Sequence, residues 1–594
     1  MNNRPNRPAN FSANIHLVDY LDPYVLPQAD SSSFIDLALR ETEPLDGDWH
    51  FAIDPYDTSL RARWFEEKYT DEGGRAYPVD YSFDQWETVP VPSCWNVLKP
   101  EWLWYEGSAV YMRGVDFIAG GPNERVFLSF GAASYAAYVF LNGEYLGWHQ
   151  GASTPFRFEV TGKLREKNRL VVVVNNTRRA DRVPTDNTDW FNYGGLHRSV
   201  CLVRMPHTFI ETASVSLVPD GSFSTVAVRV TLDGPEIDGE AEIAIPELDF
   251  NETFDVSGGV GSEEFDITPE LWSPEDPHLY DVYIRYANDE WHDRIGFRQI
   301  RVVGSEIELN GKPMFLRGVS QHEESVAHGR SLTADEIREN FRIAKEMGCD
   351  YVRLAHYPHS GLTSRIADEI GILLWEEVPV YWAVQFESED VFMDADNQLR
   401  ELIQRDRNRA SVIIWSVGNE NPDTDTRYRF MSRLAETCRI LDPTRLVTAA
   451  CLVDPEKLII ADRLIDKLDI IGINEYYGWY EPDFSKLPRL FANSAPTKPV
   501  IISEFGADAV AGRRGSPDEM FTEDHQLAIY QEQISVLSTI PYIKGVSPWI
   551  LYDFRCPRRI HILQGYYNRK GLLSADKSVR KLAFSAMQEW YASM

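Results

Sequence analysis

The chain has 594 residues, which exceeds the size of a single hydrophobic core and predicts two to four domains. Its formal net charge of −32 excludes nucleic acid as a partner, because phosphate binding needs a basic surface, and it disfavours anionic membrane surfaces. An anionic substrate remains compatible with this charge, since the local field of a pocket can oppose the net charge.

The cysteines and the first residues predict a compartment. The six cysteines are far apart and form no C-x-x-C pair, so we expect reduced thiols in a cytoplasmic protein. Residues 1–12 are polar, rich in Pro and Asn, and lack the apolar segment of a signal peptide. No apolar run approaches transmembrane length, so we expect no membrane association.

The first 302 residues are dominated by predicted strands. Asn142-Gly143 separates two apolar segments, which is the strongest short signal of a β-hairpin. Because helical patterns are few, we expect a β-sandwich over residues 1–205. Short alternating strands with turn signals continue over residues 206–302 and predict an immunoglobulin-like β-sandwich.

After residue 303 the pattern changes to alternating strands and helices. Thr333 and Glu336 form a capping box at the start of one helix, and Gly348 ends that helix. Eight apolar runs are candidate strands: 314–317, 351–354, 372–375, 412–417, 446–450, 470–473, 500–503 and 545–550. Eight parallel strands with helices between them predict a (β/α)8 TIM barrel over residues 303–594.

Glu420 and Glu504 each end a continuous apolar run, as expected for strands that are buried on both faces. A carboxylate at the carboxyl end of a barrel strand points into the mouth where such barrels carry out chemistry. Two carboxylates from two strands supply the proton donor and the nucleophile or base that glycosidic bond cleavage needs. Other polar or aromatic residues at strand ends are Arg317, Gln321, His322, Glu323, Arg353, His356, Glu376, Glu377, Asn419, Asn474, Tyr476 and Trp549.

Each glutamate also has a structural interpretation, because Glu420 could be a solvated loop acid and Glu504 a buried partner of Arg353. Adjacent Asn419 favours the catalytic interpretation, since an amide there can bond a sugar 2-hydroxyl, a contact that strengthens in the transition state. Pairing with Arg353 would also keep Glu504 ionised, as a nucleophile requires. To act as an acid at neutral pH, Glu420 needs a raised pKa, from desolvation and from the charge of Glu504.

Neither a metal site nor a cofactor site is expected. His356 and His359 could begin a metal site, but no further ligand cluster lies at helical spacing. No Gly-rich phosphate loop follows a strand, and no Gly-x-Ser-x-Gly elbow is present.

At these motifs the chain resembles glycoside hydrolase family 2 over nearly its whole length. Leu141-Asn142-Gly143 and Thr154-Pro155-Phe156 are similar to the sugar-binding jelly roll of the family. Residues 271–274 and 294–298 resemble the end of its middle domain, and residues 310–318 resemble the start of its barrel. The resemblance implies that Glu420 is the acid/base and Glu504 the nucleophile of a retaining double displacement.

Two segments resemble β-glucuronidases rather than β-galactosidases within this family. Residues 474–480 are close to a Tyr-Tyr-Gly-Trp-Tyr segment, and Asn568-Arg569-Lys570 fits the Asn-x-Lys motif that reads the sugar carboxylate. An amide and an ammonium group can together hold one carboxylate, although the same residues could also form an ordinary surface loop. The resemblance further implies that Asp186 contacts sugar hydroxyls, Arg353 steadies Glu504, His322 lines the pocket, Tyr476 bonds the nucleophile, Tyr480 lies near the carboxylate and Trp549 stacks on the sugar.

The chain departs from the family pattern at two places. Some bacterial glucuronidases have an Arg four residues before the Asn of Asn-x-Lys, where this chain has Gln564, and Arg555, Arg558 and Arg559 are nearby substitutes. Only residues 321–331 separate the first barrel strand from the helix capped at Thr333, so no long loop covers the site from this position. We therefore expect either an open site that accepts longer glycans or a lid supplied by another loop or subunit.

We therefore expect a retaining exo-β-glucuronidase whose partner is a carbohydrate substrate. A β-galacturonidase is the closest alternative, because it differs only at the axial 4-hydroxyl. A β-galactosidase or β-glucosidase would leave Lys570 without a purpose, and a non-catalytic glycan-binding protein would not need both glutamates. The family resemblance also implies a homo-dimer or homo-tetramer.

Overall fold

The computed structural model describes residues 35–66 and 86–594, together with residues 29, 31 and 83. The signal-peptide expectation rests on residues 1–12 and lies outside the described residues. All six cysteines are described, and each is a free thiol. Among the described helices, none combines the length and the apolar character needed to cross a membrane.

The first ten strands form a β-sandwich. One sheet has the order β1-β10-β5-β8 and the other β3-β2-β4-β9-β6-β7. Trp49, Phe130 and Phe156 belong to one buried core that receives side chains from both sheets. The strands are β1 Glu43–Pro44, β2 Gly47–Asp54, β3 Glu87–Val91, β4 Ser108–Asp116, β5 Arg125–Phe130, β6 Ala136–Leu141, β7 Glu144–Gln150, β8 Phe156–Glu159, β9 Lys167–Asn175 and β10 Val200–Met205, with 3-10 helices at Trp95–Val97 and Pro100–Trp102.

The predicted hairpin at Asn142-Gly143 is confirmed as the turn between β6 and β7. Both residues have a positive φ, 54° and 83°, which is the geometry of the turn that matches strand twist. Asparagine and glycine tolerate this left-handed region better than other residues do, so the sequence signal has a direct conformational cause.

Seven further strands form one antiparallel sheet in the order β11-β12-β15-β14-β13-β16-β17. Side chains from the first and last strands, such as Val215 and Trp291, share one core with Ile243 from the middle of the sheet. The sheet therefore folds over on itself like a sandwich. The strands are β11 Phe209–Leu217, β12 Thr225–Asp233, β13 Gly239–Ile245, β14 Phe250–Ser257, β15 Val260–Asp266, β16 Tyr280–Tyr286 and β17 Asp289–Ile295, with a 3-10 helix at Pro246–Leu248.

A closed parallel barrel follows, as the sequence predicted. Its strands are β21 Leu316–Gln321, β22 Tyr351–Leu354, β23 Leu373–Glu377, β24 Val412–Asn419, β25 Leu446–Cys451, β26 Ile471–Asn474, β27 Val500–Glu504 and β28 Ile543–Val546. The helices around it are α1 Ala334–Met347, α2 Gly361–Ile370, α3 Glu389–Asp406, α4 Asp425–Leu441, α5 Lys486–Asn493, α6 Glu523–Leu537 and α7 Leu582–Ala592, with a 3-10 helix at Arg463–Lys467.

The helix capped at Thr333 is confirmed in detail. The Thr333 hydroxyl accepts from the Glu336 amide at 3.2 Å, and the Glu336 carboxylate accepts from the Thr333 amide at 2.9 Å. Gly348 ends α1 with a φ of 95°, a left-handed conformation that glycine adopts without steric cost.

The first and last barrel strands differ from the predicted positions. A small antiparallel sheet of β18 Ile300–Val303, β19 Glu306–Leu309 and β20 Lys312–Met314 takes up the residues expected to begin the first strand. The eighth strand ends before Pro548, which has no amide hydrogen to donate to the barrel ladder. The chain then turns at Trp549, and a short ladder of β29 Phe554–Arg555 with β30 Tyr567–Asn568 follows.

Candidate active site

A cavity of about 630 Å³ is lined by residues at and beyond the carboxyl ends of the barrel strands. This is the end at which TIM barrels carry their active sites. Of the residues predicted from sequence, the cavity brings together Glu420, Glu504, Asn474, Tyr476, Tyr480, Trp549, Asn568 and Lys570. Asp189, Tyr381, Trp382, Arg558 and Arg559 join them.

Glu420 follows β24 in a left-handed backbone conformation, with a φ of 50°. Such a conformation is uncommon outside glycine and aims the side chain away from the strand direction. The Trp382 indole donates to Glu420 Oε2 at 2.8 Å, and the Asn474 amide donates to Oε1 at 3.0 Å. Burial raises the pKa of Glu420, and the negative charge of Glu504 raises it further.

Glu504 ends β27, and each of its carboxylate oxygens accepts a hydrogen bond. Arg353 Nη1 donates to Oε1 at 2.6 Å, and the Tyr476 hydroxyl donates to Oε2 at 2.6 Å. One cationic and one neutral donor thus fix both oxygens of this carboxylate, and the charge-assisted bond is the stronger of the two.

Arg353 lies beneath the cavity and is completely buried. Its Nη2 donates to Glu377 at 2.9 Å and to Asn419 Oδ1 at 2.8 Å. Burial alone would raise the pKa of Glu377, but the Arg353 charge together with His356 and the Trp375 indole outweighs burial and holds that pKa below its ordinary value. The buried guanidinium is therefore paired with Glu377 and Glu504 together, as buried charges require.

Asn419 is held from two sides. Its Oδ1 also accepts from Asn474 Nδ2 at 3.1 Å, so the oxygen is directed toward Arg353 and Asn474. The amide Nδ2 of Asn419 makes no hydrogen bond to any described residue and is left as a donor for a ligand.

Two cationic side chains, those of Lys570 and Arg559, lie in another part of the cavity wall. Lys570 is 1% exposed, and its Nζ donates to the Tyr480 hydroxyl at 3.0 Å and lies 3.6 Å from Asp508. Burial would lower the pKa of Lys570, but Asp508 and Tyr480 together outweigh burial and raise that pKa, so the ammonium group stays charged. Arg559 donates to the same Tyr480 hydroxyl at 3.1 Å and forms an ion pair with Asp189.

Asn568 lies beside these cations because of the β29–β30 ladder, where it pairs with Phe554. Its Oδ1 accepts from the Lys570 amide at 3.1 Å, which orients Nδ2 toward Asp189 at 3.4 Å. The Asn-x-Lys segment is therefore part of the cavity wall and not a surface loop.

Trp549 provides an aromatic wall and is 4% exposed. The His356 ring stacks on it with centroids 4.9 Å apart and an interplanar angle of 22°. A flat indole held by stacking presents a rigid apolar face to the cavity.

Asp186 does not line the cavity, contrary to the sequence expectation. It is exposed, and its carboxylate accepts from the Thr185 hydroxyl at 3.1 Å. Asp189, three residues further along the same loop, takes the position in the wall because Arg559 and Asn568 hold its carboxylate there.

His322 is also outside the cavity wall. It is buried behind Trp549, with ring centroids 5.3 Å apart, and its Nδ1 lies 3.2 Å from the Tyr357 hydroxyl. The indole thus separates His322 from the cavity. Burial lowers the pKa of His322 well below its ordinary value, so the ring is neutral.

Gln564 and Arg555 do not reach the cavity either. Gln564 Nε2 donates to Asp508 at 2.7 Å, so it orients the acid that lies beside Lys570. Arg555 donates to the hydroxyls of Tyr193 and Tyr567, each at 3.2 Å. Of the three arginines considered as substitutes for the missing family arginine, Arg558 and Arg559 line the cavity.

Trp382 had no signal in the sequence. It lies beyond the end of β23 and has a φ of 54°, and nothing in its neighbourhood in the chain predicts a contact with Glu420. Asp189 and Arg559 are 370 residues apart, so only the tertiary fold brings them together.

Comparisons with known proteins agree with this architecture. The sugar binding domain of glycosyl hydrolases family 2 matches residues 42–206. The domain described as glycosyl hydrolases family 2 matches residues 208–298. The TIM barrel domain of the family matches residues 300–594. A β-glucuronidase of Paenibacillus borealis is 26% identical over 93% of this chain and 98% of its own length. The β-glucuronidase of Mus musculus is 28% identical over 93% of this chain and 91% of its own length.

Two solved structures superpose over nearly the whole chain. The β-glucuronidase of Bifidobacterium dentium complexed with coumarin-3-O-glucuronide has a TM-score of 0.82 and 25% identity, and the match covers 93% of this chain and 97% of that one. The β-galacturonidase of Eisenbergiella tayi bound to galacturonate has a TM-score of 0.80 and 25% identity, and the match covers 94% and 98% of the two chains. The three matched regions together span almost all of residues 42–594, and the chain belongs to glycosyl hydrolase family 2.

Proposed function

We propose that this protein is a retaining exo-β-glucuronidase, which releases glucuronic acid from the end of a β-D-glucuronide. One observation carries the proposal: a single cavity contains two carboxylates with different hydrogen-bond partners and, elsewhere in its wall, a buried lysine beside an arginine. The carboxylate pair suits glycosidic cleavage, and the cations suit an anionic sugar.

Glu504 is the nucleophile in this mechanism. Arg353 and Tyr476 hold its two oxygens, so the carboxylate is oriented before the sugar binds and little reorganisation is needed during attack. Its attack on the anomeric carbon forms a glycosyl–enzyme ester, and the bond to the leaving oxygen breaks in the same step.

Glu420 is the acid and later the base. Its raised pKa keeps the proton available to the leaving oxygen, and the charge of Glu504 is one cause of that raised pKa. When Glu504 becomes an ester it loses that charge, so the pKa of Glu420 falls. Glu420 then takes a proton from water as the water oxygen attacks the anomeric carbon. The bond from that carbon to Glu504 breaks, Glu504 leaves as a carboxylate, and the sugar is released with retained configuration.

Lys570 and Asn568 hold the carboxylate of the sugar, with Arg559 as a second cation. In the absence of substrate the Tyr480 hydroxyl accepts from both Lys570 and Arg559. A sugar carboxylate would be a stronger acceptor than this neutral hydroxyl and would take one or both of these bonds. A neutral sugar would leave the buried ammonium without that partner.

The remaining wall residues complete the sugar site in this proposal. Trp549 offers a face for stacking. Asn419 is buried next to Glu420 and is not among the lining residues, and we assign its free amide donor to the sugar 2-hydroxyl. Asp189 is the residue of the sandwich loop that contacts sugar hydroxyls, in the role first expected of Asp186.

A β-galacturonidase is the second candidate, and two observations favour it. The solved β-galacturonidase of Eisenbergiella tayi matches this chain about as well as the solved β-glucuronidase does. Gln564 also stands where some bacterial glucuronidases have an arginine, and it binds Asp508 instead of the cavity. In both candidates Lys570 and Asn568 hold the sugar carboxylate, and the same two glutamates carry out the reaction.

Retention is tested by following the first product by NMR. A β-D-glucuronide should release glucuronic acid as the β anomer, which mutarotates only afterwards. Release of the α anomer would contradict the role of Glu504 as nucleophile. A matched reaction of the Glu504→Gln variant should release no product of either configuration.

A homo-oligomer and a cytoplasmic location complete the proposal. Ile560 and Ile562 are 77% and 90% exposed, and apolar side chains at this exposure suit a contact between subunits. The free cysteines suit a reducing compartment. Light scattering of the purified protein tests the first point, since a monomeric mass would contradict it.

A further inference from the structure

A second cavity, of about 280 Å³, lies between the N-terminal sandwich and the outer helices of the barrel. It shares no lining residue with the cavity that contains Glu420 and Glu504. Its wall carries four arginines, two from the sandwich and two from barrel helices: Arg157, Arg198, Arg365 and Arg405. We refer to it as the arginine cavity.

Arg157 is the residue that most needs a partner. It lies on β8 and is 8% exposed, and its side chain forms no hydrogen bond with any described residue. The nearest carboxylate oxygen, of Glu211, is 3.9 Å from Nη2. Burial lowers the pKa of Arg157 to about 9, so the guanidinium is still charged at neutral pH. A buried charge without hydrogen bonds is rare, because its desolvation is then left uncompensated.

Two more arginines of this wall each have one nitrogen atom without a hydrogen-bond partner. Nη1 of Arg405 and Nε of Arg198 are buried and have no hydrogen-bond partner among the described residues. The other nitrogens of these side chains are occupied. Arg405 donates to Asp406, and Arg198 donates to Glu323 and to the carbonyls of Ser153 and Pro358. Arg365 differs, since it donates twice to Asp293.

The amino end of α2 reaches the same cavity through Ser360 and Gly361. The helix dipole favours negative charge there, and the Ser360 amide already donates to one anionic group, Glu323, at 2.6 Å. A Cβ on Gly361 would lie 3.2 Å from Arg405 Cδ, so the glycine allows the arginine to lie close to the start of the helix. The helix end and Arg157 are independent features that select for the same charge.

The two acids in the wall, Asp406 and Asp36, do not form a hydrogen bond or an ion pair with Arg157. Asp406 accepts from Arg405 and from the Ser364 hydroxyl at 2.9 Å. Asp36 accepts from the Ala38 amide at 3.1 Å, and burial together with Asp293 raises the pKa of Asp36 to about 6. Neither acid forms an ion pair with Arg157.

We propose that the arginine cavity binds a small oxyanion, and that this ligand joins the sandwich to the barrel. Phosphate, sulfate and the carboxylate of a sugar acid share the required chemistry, which is two or more oxygens that accept from guanidinium groups. The site is separate from the catalytic cavity, so the proposal does not depend on the reaction.

Calorimetric titration at constant ionic strength tests this directly, with sodium phosphate, sodium sulfate and sodium D-glucuronate as separate probes. The titrations use the wild type, Arg157→Met and a control, Arg342→Met, whose arginine lies on the exposed face of α1 with 58% side-chain exposure. Further titrations use Lys570→Ala, which removes the catalytic-cavity cation as an alternative anion site, and the double variant with Arg157→Met.

We expect at least one probe to bind the wild type, Arg342→Met and Lys570→Ala, with one site per chain in Lys570→Ala, where the catalytic cavity has lost its buried cation. Added to Lys570→Ala, Arg157→Met should weaken this binding at least tenfold, and Arg157→Met alone should hydrolyse substrate at the wild-type rate. At a hundred times the dissociation constant, the wild-type Tm should rise by about 2 °C. The probe that binds identifies the source of the oxyanion.

Undiminished binding when Arg157→Met is added to Lys570→Ala, or no binding of any probe to Lys570→Ala, would overturn the proposal. If Arg157→Met does not fold, wild-type crystals soaked in selenate supply the second test. An anomalous peak within hydrogen-bond distance of Arg157 supports the site, and an empty arginine cavity at saturating selenate overturns it.

Discussion

Asn474 and Tyr476 lie two residues apart at the end of β26, and each contacts a different carboxylate. Asn474 donates to Glu420 at 3.0 Å, and Tyr476 donates to Glu504 at 2.6 Å. One short segment therefore fixes both carboxylates relative to each other. In the proposed mechanism this arrangement brings Glu420, which follows β24, and Glu504, which ends β27, to the same glycosidic bond.

Glu420→Gln removes the proposed proton donor and keeps the size of the side chain. We expect kcat/KM to fall by about 10²–10⁴-fold for a glucuronide with a poor leaving group such as methanol. The loss should be much smaller for nitrophenol, which leaves without protonation. Steady-state kinetics with both substrates checks this, and an equal loss for both would contradict the acid role.

Trp382→Phe tests the control of the Glu420 pKa. The Trp382 indole stabilises the ionised carboxylate through its hydrogen bond, so removing the donor should raise the pKa of Glu420 further. Activity needs the protonated acid and is lost as pH rises through this pKa. The alkaline limb of kcat/KM should therefore move to higher pH. Trp104→Phe, at an exposed residue outside the cavity, is the control, and a shift to lower pH would refute this explanation.

Asp189 and Asp186 form a matched pair on one loop. Asp189→Asn should reduce kcat/KM for the glucuronide by about 10–100-fold, because it removes the counter-charge of Arg559 and a contact to sugar hydroxyls. Asp186→Asn should leave kcat/KM within about twofold, since Asp186 is exposed and does not line the cavity. Comparable losses in the two variants would mean that Asp186 reaches the sugar after all.

Arg353→Met leaves two buried acids, Glu377 and Glu504, without their shared cation. Breaking a buried ion pair on one side costs about 3–5 kcal/mol, so the free energy of unfolding should fall by that order. Urea unfolding followed by tryptophan fluorescence measures it. Arg342→Met is the exposed control and should leave the unfolding midpoint in urea unchanged. An unchanged midpoint in Arg353→Met would contradict the role of this network.

Much of this architecture could be predicted because its signals are local. The capping box at Thr333, the turn at Asn142-Gly143 and the apolar runs that end in Glu420 and Glu504 each depend on neighbouring residues. Chemistry at the strand ends could be predicted for the same reason, since parallel barrel strands place their carboxyl ends on one side.

The residues that were missed depend on distant parts of the chain. Asp189 enters the cavity because Arg559, 370 residues away, binds it, whereas Asp186 has no such partner. His322 was expected in the wall, but the Trp549 ring lies between it and the cavity. The first barrel strand begins late because β20 pairs with β19 instead. The outcomes at Asp189 and His322 have no signal within one segment of sequence, whereas Asn310-Gly311, with a positive φ at both residues, is a local signal of the β19–β20 turn.

Lys570→Ala separates recognition of the uronate from the rest of the mechanism. Loss of a charge-assisted hydrogen bond of about 1.5–3 kcal/mol predicts a roughly 10–100-fold lower kcat/KM for the glucuronide. Any slow hydrolysis of the galactoside should be unchanged. Lys99→Ala, at a partly exposed residue of the sandwich, is the control. An equal loss on uronide and neutral sugar would refute the carboxylate role of Lys570.

The most direct measurement is hydrolysis of nitrophenyl β-D-glucuronide, β-D-galacturonide and β-D-galactoside by the wild type at matched concentration. The proposed function predicts the highest kcat/KM for the glucuronide. Preference for the galacturonide would leave the roles of Asn568, Lys570 and the mechanism unchanged. It would mean that contacts to the sugar 4-hydroxyl, including that of Asp189, determine the specificity. Activity on the galactoside alone would contradict the central claim that Asn568 and Lys570 hold a sugar carboxylate.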